Sequence, residues 1–104
     1  MGGMDLLRAL LAGVAGRGET ITYEQLRAAL GLEGDLVPLL RALSEAEADA
    51  GRGLLTAVVV RTDTGRPGPG WFRLAAERGR EVADREGVWH AERDRLRREH
   101  APSA

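Results

Sequence analysis

The sequence predicts a single α+β domain that is mostly helical, with a small sheet and a C-terminal helix. Two observations lead to this fold class. Apolar residues recur at helical spacing in several segments, whereas residues 54–60 form an uncharged run rich in valine. A chain of 104 residues supports one modest hydrophobic core rather than two. We therefore expect one domain over residues 1–100 and a flexible C-terminus at 101–104.

The first two predicted helices flank a short β-prone segment. Leucine and valine residues at spacings of three and four predict a helix over residues 4–15. A β-prone segment follows at residues 20–22. Thr22 and Gln25 form a T-x-x-Q capping box, which predicts a second helix over about residues 23–30.

A third helix and the valine-rich run come next. Asp35 is the predicted N-cap of this helix, which ends near Gly51. Pro38 is compatible with it because Pro38 falls within the first turn, where backbone N–H groups have no helical acceptor. The run at residues 54–60 lacks apolar and polar alternation, and this predicts a strand buried on both faces.

A loop rich in glycine and proline, residues 64–70, follows the predicted strand. Glycine reaches backbone angles closed to other residues and proline fixes φ, so we expect a rigid, shaped loop. Trp71 and Phe72 open a short helix predicted over residues 71–78. At least one of these rings is expected to be buried, since the chain has only four aromatic residues. A final helix is predicted over about residues 81–99.

The order of these elements is that of a winged-helix domain. Helix, short strand, two helices, strand and glycine-rich loop follow one another along the chain. In such a domain the second and third helices form a helix-turn-helix, and the strands and loop form the wing. We therefore expect the third helix to enter the major groove of DNA and the wing to approach the phosphate backbone.

Two motifs carry a resemblance to a known group of proteins. Residues 54–60 read L-L-T-A-V-V-V, and residues 64–72 read T-G-R-P-G-P-G-W-F. The chain resembles short uncharacterised bacterial proteins that share an L-L-[ST]-A-x-V-V run followed by T-G-x-P-G-x-G-[FW]-F. This resemblance covers most of the chain.

A more remote resemblance involves the entry to the second helix. The T-Y-x-x-L pattern that begins at Thr22, with the later V-V-x-x-x-x-G stretch, is similar to the winged-helix DNA-binding domain of the alkyltransferase-like proteins. That resemblance implies a DNA-binding scaffold. The chain has no Pro-Cys-His-Arg segment and no cysteine, so the alkyl-transfer chemistry is not implied.

Arginine supplies every basic side chain, and its distribution is uneven. Residues 52–80 carry six arginines against two acids, whereas residues 1–51 carry four arginines against eight acids. We therefore expect a positive surface to lie on the predicted strand and loop. Guanidinium groups bind phosphate oxygens in a forked geometry. The predicted nucleic-acid-binding residues are Arg41, Arg52, Arg61, Arg66 and Arg73.

The third helix also supports a different hypothesis. It offers one Arg41 against Glu45, Glu47 and Asp49, and carboxylates facing DNA would repel its phosphates. The alternative function is therefore a protein-interaction module or homodimeric adaptor on the same scaffold. Its predicted contact residues lie seven apart on the last helix, at Val82, Trp89 and Leu96. The alternative for Trp89 is that it pins this helix to the domain.

Composition argues against several other functions. Without cysteine the chain has no disulfide, thiol nucleophile or thiolate metal ligand. His90 and His100 lack the spacing of a helical metal site, so we read them as surface histidines and expect no metal or cofactor. We expect no catalytic activity and no small-molecule substrate. No segment has the roughly 20 apolar residues of a membrane span, and we expect a cytoplasmic protein.

Overall fold

The computed structural model describes residues 3–102 of the chain. The elements follow in the order α1 (Gly3–Gly16), β1 (Ile21–Thr22), α2 (Tyr23–Leu30), α3 (Val37–Asp49), a 3₁₀ turn (Leu55–Val58), β2 (Val59–Val60), α4 (Pro69–Glu77) and α5 (Arg85–Glu99). This confirms a mostly helical α+β domain with a small sheet. Of the predicted flexible end, residues 101 and 102 are exposed and irregular, and residues 103 and 104 lie outside the described part.

Helix α2 begins at the capping box that the sequence predicted. The Thr22 hydroxyl accepts a hydrogen bond from the Gln25 amide at 3.1 Å, and the Gln25 side chain accepts one from the Thr22 amide at 3.0 Å. These two bonds satisfy amides that have no helical acceptor. Gly31 ends the helix with φ 63°, a left-handed angle that glycine adopts at no steric cost.

Helix α3 begins one residue later than a cap at Asp35 predicts. The Asp35 carboxylate accepts a hydrogen bond from the Val37 amide at 3.0 Å, but the N-cap position belongs to Leu36. Asp35 therefore closes a local turn on the residue two positions ahead, a geometry that competes with N-capping. Pro38 lies within the first turn as expected.

The prediction of a strand over residues 54–60 was largely wrong. Only Val59 and Val60 form a strand, and the residues before them form the 3₁₀ turn. Two carboxylates of α5 occupy the backbone donors that a neighbouring strand would otherwise use. Glu99 accepts from the Gly53 amide at 2.9 Å, and Glu92 accepts from the Leu54 amide at 2.7 Å.

The sheet consists of one parallel pair of strands in the described chain. Ile21 lies opposite Val59, and Thr22 lies opposite Val60. A parallel pair needs a long crossover, and α2 and α3 supply it. A wing formed by an antiparallel hairpin is not found within residues 3–102. Residues 61–66 instead form a closed loop, with the Arg61 amide donating to the Arg66 carbonyl at 2.9 Å.

Helix α4 begins two residues earlier than predicted. Pro69 occupies its first turn, where a fixed φ favours helix and the missing N–H costs nothing. Trp71 and Phe72 are both buried, and their rings meet edge to face with centroids 5.1 Å apart. The expectation that at least one of the pair is buried is confirmed.

Helix α5 begins at Arg85 rather than at residue 81. The Asp84 carboxylate caps it by accepting from the Gly87 amide at 3.0 Å. Val82 therefore precedes the helix. Trp89 is 6% exposed and Leu96 is fully buried, so both belong to the core.

The core lies where α1, α3 and α5 surround the 3₁₀ turn. Trp89 fixes α5 there, because its indole N–H donates to the Ala57 carbonyl at 2.8 Å. Inside the core the hydroxyls of Ser44 and Thr56 share a buried hydrogen bond. Among the described residues, no helix has both the length and the apolar character that crossing a membrane requires.

Candidate functional site

A cleft with a volume of about 570 Å³ opens between α2, the start of α3, β2 and the start of α4. Its floor is apolar and consists of side chains that also belong to the core. These floor residues are Leu36, Leu40, Val59, Trp71 and Leu74. The floor is therefore as rigid as the packing beneath it.

Four arginines stand around this apolar floor: Arg27, Arg41, Arg61 and Arg73. Among the described residues, a single carboxylate, that of Asp35, is also part of the lining. Three of the five arginines predicted to bind nucleic acid thus lie at one cleft. Arg27 was missed because it lies on α2, in the acidic half of the chain, and only the crossover of α2 brings it to α4.

Carboxylates outside the cleft neutralise two of the four guanidinium groups. Arg41 contacts Glu77 at 2.8 Å and Glu45 at 2.8 Å. Arg61 makes a forked contact with Asp63, at 3.0 Å from Nε and 2.8 Å from Nη2. The hydrogen bond from Arg61 lowers the pKa of the Asp63 carboxyl. Both pairs are solvent-exposed, so they contribute little net stability.

The other two cations of the cleft have no such partner. Arg27 donates to the Gly34 carbonyl, and Arg73 is exposed. Neither side chain forms an ion pair with a carboxylate of residues 3–102. An anion that enters the cleft can therefore bind these two guanidinium groups without displacing an acid.

The beginning of α4 adds a further attraction for anions. Gly68, Pro69 and Gly70 line the cleft, and no side chain of residues 3–102 caps this helix end. The first amides of a helix lack helical acceptors and carry the positive end of its dipole. Pro69 has no N–H and the Trp71 amide donates to the Gly68 carbonyl at 3.1 Å, so an anion here would meet the Gly70 amide as well as arginines.

Tyr23 is the titratable neutral side chain of the cleft. Burial raises the pKa of its phenol, and the nearby Arg61 lowers it by a smaller amount. The phenol is therefore protonated at neutral pH. It supplies a hydrogen-bond donor beside the arginines rather than a negative charge.

Arg52, another predicted contact, lies away from the cleft. It pairs at 2.5 Å with Glu47, whose other carboxylate oxygen accepts from Arg8 at 3.1 Å. Burial raises the pKa of Glu47, but the hydrogen bonds from Arg52 and Arg8 outweigh burial and lower it. Arg52 thus compensates a buried charge and ties the loop after α3 to α1.

Arg66 is also separated from the cleft by its partner. Its guanidinium forms an ion pair with Glu86 on α5. This contact lowers the pKa of Glu86 and fixes the 61–66 loop against the start of α5. The five predicted arginines therefore do not form one continuous surface.

The predicted partner-binding residues do not form an exposed stripe. Trp89 and Leu96 are core residues, and Val82 is half-buried in the segment before α5. The structure places Trp89 in the other role considered for it, as the anchor of α5. Apolar residues seven apart cannot distinguish a partner-binding helix from a helix anchored on its own domain, because both repeat apolar residues in the same way.

The two histidines differ in their surroundings. His90 is exposed, 3.4 Å from Glu86. His100 is half-buried, with an Nε2 atom that finds no hydrogen-bond partner in the described chain, so the expectation of a surface residue was wrong there. Burial lowers the pKa of His100. Within residues 3–102, no three histidine or carboxylate side chains gather as a metal site.

Comparison with known proteins found no relative of this chain. No protein-family profile, curated protein or solved structure matches the chain. The cleft combines a cationic rim, an uncapped helix end and an apolar floor. Chemically, it suits a ligand that carries both an anionic group and a flat apolar group.

Proposed function

We propose that the chain is a non-catalytic nucleic-acid-binding domain that contacts phosphate groups at the cleft between α2, α3 and α4. The observation that carries this proposal is the pairing of Arg27 and Arg73 at one cleft, each without a carboxylate partner in the described chain. Phosphate contacts supply most of the affinity in nucleic-acid binding. A cytoplasmic location is part of this proposal, because nucleic acid is the ligand.

Arg41 and Arg61 extend the same surface once a ligand is present. Their ion pairs are exposed and cost little to exchange, so a phosphate oxygen can replace Glu77 or Asp63 as the acceptor. The exchange also releases counterions from the nucleic acid. We therefore expect up to four phosphate contacts at the cleft, with Arg27 and Arg73 the first to form.

The scaffold in this proposal is winged-helix-like, with the closed loop at residues 61–66 in place of a hairpin wing. The first turn of α3 lies at the cleft, whereas its second half carries the acids Glu45 and Asp49. The α3 contact with nucleic acid is therefore confined to residues 37–41, because repulsion by these acids is weakest at the start of the helix.

The test is a binding titration by fluorescence anisotropy over a salt series. The ligands are a random-sequence duplex DNA and a single-stranded oligonucleotide. We expect Arg27→Ala/Arg73→Ala to weaken binding. The slope of log affinity against log salt should also fall by about 1 for each phosphate group that the variant no longer binds.

The matched control replaces two arginines at the far end of α5. Arg97 and Arg98 are exposed and lie outside the cleft, so Arg97→Ala/Arg98→Ala removes the same charge elsewhere. Circular dichroism checks that each variant keeps its helical content. An equal loss of affinity in both double variants would contradict a role for the cleft, and no binding of either ligand at low salt would contradict the proposal.

A protein partner is the second candidate function, and one residue favours it. Val37 lies in the cleft lining and is 57% exposed, so it offers an apolar contact beside the arginines. A peptide with an acidic and an apolar side chain would meet Val37 and Arg73 together. A homodimer through α5 has less support, since Trp89 and Leu96 are buried. Light scattering coupled to size-exclusion chromatography tests for the dimer.

A further inference from the structure

The cleft is more apolar than phosphate contacts alone require. Phosphates are bound by exposed cations on flat or convex surfaces as readily as in a cavity. Here the arginines surround a recess of about 570 Å³ with an apolar floor. That volume lies within the roughly 300–1,000 Å³ typical of small-ligand pockets. The recess therefore has room for a flat apolar group beside the phosphate contacts.

The start of α3 is poorly placed to read a duplex. A recognition helix contacts base edges only when its side chains project into the major groove. Leu36 and Leu40 instead face inward as part of the floor, and Val37 is the exposed apolar residue of that turn. Base edges of a duplex would therefore meet the rim of the cleft and leave its floor empty.

An unstacked base fits the recess better than a duplex. A base has two flat apolar faces and a polar edge, and it is joined to an anionic phosphate. Its faces would lie against Val37, which is 57% exposed, and against the small part of Trp71 that remains accessible. The phosphate would then lie near Arg73 and the Gly70 amide at the uncapped start of α4.

We infer that the cleft accepts one unstacked nucleotide of a single-stranded nucleic acid, with the base on the apolar floor and the phosphate among the arginines. This inference rests on the proposed function and adds the ligand class, a single strand rather than a duplex. Base contacts of this kind tolerate every base, because each has an apolar face. Binding is therefore expected to depend on strandedness more than on sequence.

A variant that fills the cleft without removing charge separates this inference from general phosphate binding when its effect on single-strand binding is compared with its effect on duplex binding. Gly70 lines the cleft, its φ is not positive, and a Cβ there meets no atom within 4 Å. Gly70→Leu therefore places a bulky side chain at the cleft and keeps every arginine. The matched control is Ala76→Leu, an exposed position on the same helix that is not part of the lining.

A second variant acts through charge instead of volume. Val37→Glu puts a carboxylate into the lining at a position that is already exposed, so the fold tolerates it. The probes are a labelled oligothymidylate of about twelve nucleotides and a labelled hairpin duplex of similar length. Thymidine monophosphate serves as an unlabelled competitor, which distinguishes a free nucleotide from a nucleotide within a strand.

We expect the oligothymidylate to bind at least about tenfold more tightly than the duplex, as stacking of one base allows. Gly70→Leu and Val37→Glu should each weaken single-strand binding by on the order of tenfold, while Ala76→Leu leaves it unchanged. Retention of single-strand affinity in Gly70→Leu and Val37→Glu would overturn the inference. Competition by thymidine monophosphate as strong as that by unlabelled oligothymidylate would overturn the assignment to a strand.

The outcomes also separate this inference from the proposed function. Duplex and single strand bound equally well, with weaker binding in Arg27→Ala/Arg73→Ala but not in Gly70→Leu, would leave the phosphate-binding function in place and reject the unstacked nucleotide. Absence of binding to both probes at low salt would reject both.

Discussion

Replacing Glu92 by glutamine should unfold this domain at a markedly lower temperature. The Glu92 side chain is 6% exposed and accepts three hydrogen bonds. One comes from the Leu54 amide at 2.7 Å, and two come from the Arg80 guanidinium at 3.0 Å and 2.9 Å. Glutamine has the same shape but presents an NH₂ donor in place of one oxygen, so a donor must face a donor.

The size of the effect follows from this geometry. In the better orientation the amide oxygen keeps Leu54 and one Arg80 contact, and the NH₂ group meets the Nε–H of Arg80. The variant loses one charge-assisted hydrogen bond, worth about 1.5–3 kcal/mol, and leaves a half-buried guanidinium without its counter-charge. We expect a decrease of about 3 kcal/mol in the free energy of unfolding. For a domain of this size that corresponds to roughly 10–25 °C in Tm.

Urea denaturation and differential scanning calorimetry measure both quantities. The matched control is Glu86→Gln on the same helix, whose carboxylate is exposed and pairs with the exposed Arg66. We expect little change there, because exposed pairs contribute little. Equal destabilisation by the two substitutions would refute the view that burial of the Glu92 carboxylate stabilises the turn at Leu54.

Three further predictions concern caps, packing and pH. Thr22→Ala removes one bond of the capping box and should lower the free energy of unfolding by about 1 kcal/mol in urea titrations, whereas an unchanged midpoint would show that the cap is dispensable. Gly16→Ala should lower Tm, because a Cβ there would overlap the His100 carbonyl oxygen. The control is Gly13→Ala, where the nearest atom is the flexible end of the Arg17 side chain at 3.3 Å. Equal Tm values for the two variants would contradict close packing of α1 on the end of α5. Burial is the main cause of the lowered pKa of His100. As the pH falls below about 6.5, the His100 imidazole is therefore protonated in the unfolded chain before it is protonated in the folded chain. Stability measured by urea titration should therefore decrease below that pH, and His100→Asn should make the decrease smaller.

Elements that depend on neighbouring residues were predictable from the sequence. The second helix was confirmed with the bounds Tyr23–Leu30, because the cap at Thr22 and Gln25 and the stop at Gly31 involve residues no more than a few positions apart. The start of α5 was missed by four residues, although Asp84 caps it locally. Asp84, a residue type that favours the N-cap position, was the available signal.

The buried run at residues 54–60 is a segment whose secondary structure the local sequence pattern does not determine. A continuous apolar segment is compatible with a strand, a helix or a turn, because it is buried whichever backbone it adopts. The Glu92 carboxylate, 38 residues further along the chain, binds the amide of Leu54, the first residue of the run. The Glu99 carboxylate binds the amide of Gly53, just before the run and 46 residues away from Glu99. Only a short 3₁₀ turn and two strand residues follow.

Some features of the candidate site were predictable from the sequence, and others depend on the tertiary structure. The sequence by itself determined that arginine is concentrated in residues 52–80 and that a helix follows the glycine-rich loop, since composition and periodicity are properties of the chain. Tertiary structure alone decided which arginines are neutralised: Arg52 by Glu47, Arg66 by Glu86, and Arg73 by no carboxylate in the described part. Caps and helical faces depend on neighbours along the chain, whereas ion pairs and clefts depend on distance in space between residues that folding brings together.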